Sequence, residues 1–122
     1  MSYSEFMSQL ITSGFISIVT IIDPSGNIYW TNNPNWQVNG ADVLRQWSSN
    51  PSSIYIAGTK FSTIMNNYPS FFVGKNIPQQ AGIVIICQSP NGYYFLTWSP
   101  ANAPHGALNI HTEVTRMAAL FK

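Results

Sequence analysis

Charge is what this sequence has least of. Only 7% of its 122 residues are Asp, Glu, Lys or Arg, against about 25% in an ordinary soluble chain. The five basic residues (Arg45, Lys60, Lys75, Arg116 and Lys122) are scattered, and the net charge is +1. No basic stripe exists to follow a phosphate backbone, so nucleic acid is excluded as an expected partner. The same scarcity argues against acidic lipid surfaces. Cysteine is nearly absent: Cys87 stands alone, which rules out an intramolecular disulfide. No basic segment followed by an apolar run opens the chain, and no run is long enough to span a bilayer. The expected setting is reducing and cytoplasmic.

Catalytic groups are also missing. The four carboxylates are Glu5, Asp23, Asp42 and Glu113. The first three fall at helix starts or in a turn, where capping explains them, and the fourth falls on the polar side of the last helix. His105 and His111 are six residues apart, a spacing that does not put both on one helix face as a metal pair requires. Cys87 ends the apolar run Ile83–Cys87 and reads as a small buried hydrophobe. No phosphate-cradling glycine loop occurs. Neither an enzyme nor a cofactor is expected.

What is plentiful is apolar and aromatic surface. The hydrophobic fraction is 45% and aromatics make up 14%, enough for one core in a chain of typical single-domain size. Residues 2–13 read as an amphipathic helix, with Tyr3, Phe6, Met7, Leu10 and Ile11 on one stripe and a Ser2/Glu5 capping box. Strands are expected at 15–22 and 28–31, joined by the turn Asp23-Pro24-Ser25-Gly26-Asn27. A second helix follows at 40–48, capped by Asn39. Further strands fall at 53–57, 60–65, 70–74, 81–88 and 93–98. A last helix covers 106–121, its apolar stripe being Ile110, Val114, Met117, Ala118 and Phe121. The order α-β-β-α-β-β-β-β-β-α predicts one α+β domain, 1–122, with the N- and C-terminal helices packed on one face of an antiparallel sheet.

Tyr3, Phe6 and Trp30 have two readings: ordinary core, or an aromatic groove of the kind that grips polyproline II segments. The ordered segments bear on the choice. Gln9-Leu10-Ile11-Thr12-Ser13-Gly14, Asn27-Ile28-Tyr29-Trp30, Ser53-Ile54-Tyr55-Ile56-Ala57-Gly58, Lys60-Phe61-Ser62-Thr63-Ile64, Phe71-Phe72-Val73-Gly74-Lys75 and Pro104-His105-Gly106-Ala107-Leu108 together resemble the profilins, small actin-monomer-binding proteins. The short loops suggest an early-branching or archaeal type.

The resemblance implies a monomeric, cytoplasmic, cytoskeleton-associated regulator of actin polymerisation. It implies an actin face of Lys60, Ser62, Met65, Phe72, Lys75, His105, Asn109, His111, Thr112, Thr115 and Arg116. It implies a polyproline groove at Tyr3, Phe6 and Trp30, with Tyr3 in place of a tryptophan and Phe121 in place of a final aromatic. The family's phosphoinositide binding is expected to be weak at best, for want of basic residues. Two other functions fit the element order: an adaptor for proline-rich segments alone, and a roadblock- or longin-like scaffold for small GTPases.

Overall fold

A computed structural model describes residues 1–122. The element order is α1 (Tyr3–Thr12), β1 (Ile18–Ile22), β2 (Ile28–Thr31), α2 (Gly40–Ser48), β3 (Ser53–Ile56), β4 (Thr59–Asn67), β5 (Phe71–Asn76), β6 (Gly82–Gln88), β7 (Tyr94–Ser99) and α3 (Ala107–Ala119), in the expected order. The seven strands form one antiparallel sheet, β2-β1-β7-β6-β5-β4-β3.

Local chemistry sets the helix starts. Ser2 accepts from the Glu5 amide while the Glu5 carboxylate accepts from the Ser2 amide, completing the capping box. Those bonds hold the Glu5 carboxyl below its ordinary range, the backbone bond contributing most. The Asn39 side chain caps α2 through the Asp42 amide. Asp23 accepts from the amides of Ser25 and Asn27 and so closes the β1–β2 turn. Gly26 in that turn has φ +92°, and a Cβ there would lie 2.8 Å from Ala41 Cα. Glycine therefore lets the hairpin rest against the start of α2. The β3–β4 hairpin turns on Ala57 and Gly58, both at positive φ, the conformation that matches the twist of paired strands.

The sheet is covered on both faces. Met7 and Leu10 of α1 and Ile110, Val114, Met117 and Ala118 of α3 pack on Val19, Ile21, Val73, Ile83, Ile85, Cys87 and Phe95. On the opposite face Val43 and Trp47 of α2 pack on Ile22, Ile54, Ile56, Phe61, Phe72, Val84, Ile86 and Leu96. Side chains alternate between faces along a strand, and both faces of β6 are buried. Its sequence is therefore continuously apolar rather than alternating. Trp47 is fully buried, and its Nε1 donates to Asn66 Oδ1 at 2.7 Å. No helix is long and apolar enough to cross a membrane.

Candidate functional site

The α1/α3 face is only partly covered. Helix α3 lies over β6 and β7 beside α1. The part of β4 and β5 beyond it is open, with Lys60 and Ser62 exposed and Lys75 half-buried. Register fixes this grouping. Ser62 stands opposite Lys75, and Lys75 opposite Ile83, a residue of the α1/α3 core. Lys60 is two residues from Ser62 and so shares its face. Met65 stands opposite Val73 on the same face, beside Ile64, the extra residue of a bulge, which is 50% exposed. A cleft of about 570 Å³ adjoins Lys75, between the β5–β6 turn and the loop after β7.

Helix α3 borders this strip with His111 and Thr115. The His111 ring lies on Phe71 at 4.5 Å. Its Nε2 is buried without a hydrogen-bond partner, and burial lowers its pKa below the ordinary histidine value. Thr115 Oγ1 donates to the His111 carbonyl and lies 3.5 Å from Cys87 Sγ. Asn109 and Thr112 are exposed on the outer side of α3.

The other expected actin-face residues are placed differently. Phe72 is a correction: it is 0% exposed in the core beneath α2. Phe71, Val73 and Lys75 share the open face by alternation, so Phe72 must point the other way. His105 stacks on Phe15, with ring centroids 3.6 Å apart, and its Nε2 is 3.0 Å from the Ser13 carbonyl oxygen. It thus ties the loop before α3 to the end of α1. Arg116 is turned toward α1: its guanidinium sits 5.3 Å over the Phe6 ring and donates to both Glu113 oxygens.

The aromatic residues form a second cluster at the β2–β1–β7 end. Phe121 is its hub, edge-on to Tyr3 at 4.8 Å, Tyr93 at 5.1 Å, Phe95 at 5.4 Å and Tyr29 at 5.9 Å. Such contacts contribute about 0.5–1.5 kcal/mol per pair beyond area burial. Trp30, 43% exposed, stands opposite Ile21 on the same face. Phe6 lies apart under Arg116. Tyr29 and Tyr93 are additions that the sequence did not single out. A bulge in the β1–β2 pairing turns Tyr29 to the same face as Trp30.

Cys87 behaves as the small buried hydrophobe expected: it is 2% exposed, and burial pushes its thiol up to about 11, against a smaller opposing effect of the Thr115 contact.

No family model and no curated protein matches the sequence. Solved structures do resemble the fold closely. LokiProfilin2, in complex with rabbit actin, is 21% identical with a TM-score of 0.76, over 94% of this chain and 91% of that one. LokiProfilin1, also with rabbit actin, is 24% identical with a TM-score of 0.74, over 97% and 93%. Mouse profilin IIa, in complex with a double repeat from the FH1 domain of mDia1, is 8% identical with a TM-score of 0.69, over 99% and 96%. With seven strands in this order and its helices divided two and one between the faces, the chain has the profilin fold.

Proposed function

We propose that this protein binds monomeric actin through the open β4–β5 strip and the adjoining edge of α3, and thereby restrains filament nucleation. The observation that carries the reading is the strip itself. Lys60 and Ser62 are exposed and Lys75 half-buried on one face, with Met65 half-buried against the α1/α3 core at its border, on a fold whose Loki counterparts were solved with actin. Lys60 and Lys75 supply the steering charge for an acidic partner. Met65 and Ile64 supply apolar contact. The reading is of a cytoplasmic, cytoskeletal binding protein and not an enzyme, in keeping with a cysteine whose raised pKa leaves it protonated and unreactive.

The test is actin assembly followed by light scattering with increasing protein. Filament appearance is expected to slow in proportion to the protein added. Lys60→Glu combined with Lys75→Glu is expected to abolish most of the delay. Unchanged kinetics at large molar excess over several actins would overturn the reading.

A second reading, binding of proline-rich segments, rests on the cluster of Tyr3, Tyr29, Trp30 and Phe121. Aromatic-lined surfaces suit the preformed polyproline II helix, and the mouse relative was solved with an FH1 repeat. Amide-shift mapping with a polyproline peptide is expected to move Tyr3 and Phe121 and to leave β4 unmoved.

A further inference from the structure

The sheet has two edges, and they are finished differently. At the β3 edge the Gln46 side chain from α2 replaces a neighbouring strand. Its Oε1 accepts from the Tyr55 amide and its Nε2 donates to the Tyr55 carbonyl, both at 2.8 Å. At the β2 edge nothing plays that part. Asn32 donates its amide to the Val19 carbonyl across β1, so by alternation the N–H and C=O of Thr31 point away from the sheet. Three consecutive residues of β2 remain exposed: Ile28 at 41%, Tyr29 at 56% and Trp30 at 43%. An open, apolar edge strand is a template for another strand, and proteins blunt such edges with charge, proline, cover, shortness or a bulge; β2 is short and bulged but carries no charge, proline or cover. Residues 28–38 contain no charged residue.

The bulge adds a two-sided grip. Tyr29 and Trp30 lie on the α1/α3 face. Ile28 and Thr31 lie on the other, where with Thr20, Pro34, Trp36 and Val38 they line a cleft of about 320 Å³. A strand laid along β2 would send alternate side chains to the aromatic strip and to the cleft.

We propose that the β2 edge is a strand-addition site for an uncharged, extended segment of a partner protein, with an apolar residue seated in the Trp36 cleft. A second copy of this chain is the poorer occupant. Two four-residue strands meet over only about 13 Å, a contact well short of the roughly 1,200 Å² that a stable complex buries. A second copy's Ile28 and Thr31 would also remain committed to lining its own cleft. A flexible segment can run past both ends of β2 and place a free side chain in the cleft. The site differs from the aromatic cluster in what it requires. A proline-rich ligand has no N–H with which to pair, and an extended segment must have one.

The experiment titrates an acetylated, amidated octapeptide alternating leucine or valine with threonine into the isotopically labelled protein. A copy N-methylated at alternate residues serves as control. Expected are amide shifts confined to β2 and residues 34–38, slower exchange of the Thr31 amide, and binding weakened by about tenfold or more on N-methylation, as follows from losing one or two interstrand bonds. Thr31→Pro, at an outward amide that β1 does not use, should remove binding while preserving the amide spectrum beyond the Thr20 and Asn33 neighbourhood, whose bonds to the Thr31 hydroxyl it also removes. Ile28→Lys provides a second block. Overturning results are absence of binding at millimolar peptide, equal binding of the N-methylated peptide, or shifts at Tyr3 and Phe121 or on β4 instead. A concentration-dependent dimer in sedimentation that Thr31→Pro abolishes would overturn the assignment of the occupant.

Discussion

The two faces of the sheet end differently at β4 and β5. Beneath α2 the face is closed: Phe61 and Phe72 are buried and Ile54 and Ile56 continue the core onto β3. On the other face α3 lies mainly over β6 and reaches β5 at Phe71, and beyond it the same two strands present Lys60, Ser62 and Lys75. Two residues of one strand, Phe72 and Lys75, show the consequence. Phe72 is fully buried and Lys75 only half-buried, so the first is committed to packing and the second keeps part of its side chain at the surface. The strip can be built on β4 and β5 because the opposite face already anchors them.

The sharpest way to break this comparison is to exchange the two kinds of residue. Phe72→Ala is expected to cost about 3–5 kcal/mol of unfolding free energy through the cavity it leaves. Lys60→Glu is expected to stay within about 0.5 kcal/mol, as for other surface changes. Urea unfolding measures both, and comparable losses would show that the open face is not spare surface. A smaller effect tests the two sheet edges. Gln46→Ala should cost on the order of 1 kcal/mol, the usual net value of a hydrogen bond, and should speed amide exchange at Tyr55. Exchange at Thr31 should be fast in the parent and unaffected.

The smallest effect is a pH dependence at the border between strip and helix. Burial lowers the pKa of His111 below its ordinary 6.5. The unfolded chain then binds more protons than the folded one as the pH falls through 6.5. The His111 contribution to stability is thus fully present above that value and is lost as the pH falls through the lower folded value. Denaturant midpoints measured from pH 7.5 to 5 should decline in the parent and decline less in His111→Gln. Identical slopes would assign the acid sensitivity elsewhere.

Much of this architecture was legible because local chemistry enforces it. The Ser2–Glu5 box, the Asn39 cap and the Asp23 turn place α1, α2 and the first hairpin from side chains a few residues apart. Strand ends were less legible, because they depend on neighbours. Phe15 and Ile16 read as strand, yet their amides bond the Leu10 carbonyl and Phe15 stacks on His105, so β1 begins only at Ile18. Asn66 and Asn67 read as turn, yet both pair with β5, and Trp47 occupies the Asn66 side chain.

At the site, parity was the missed signal. Phe71, Val73 and Lys75 alternate, so the lysine marks which phenylalanine shares the open face, and it is not Phe72. Tyr29 carried no such signal, since a bulge sets its direction and no local motif announces the bulge. The contacts of Arg116 and His105 were illegible for a different reason: their partners, Phe6 and Phe15, lie about a hundred residues away in sequence.

The four tryptophans divide in the same way as the sheet edges. Trp47 and Trp98 are fixed by indole hydrogen bonds, to Asn66 and to the Ala81 carbonyl. Trp30 and Trp36 flank β2, one on each face. The half-solvated Trp30 is expected to emit at longer wavelength than the fully buried Trp47. A molecule settling on β2 is expected to shift the emission to the blue by desolvating Trp30, whereas one settling on the β4–β5 strip comes near only Trp98, which lines the cleft beside Lys75. Trp30 thus gives the β2 end of the sheet an optical label of its own.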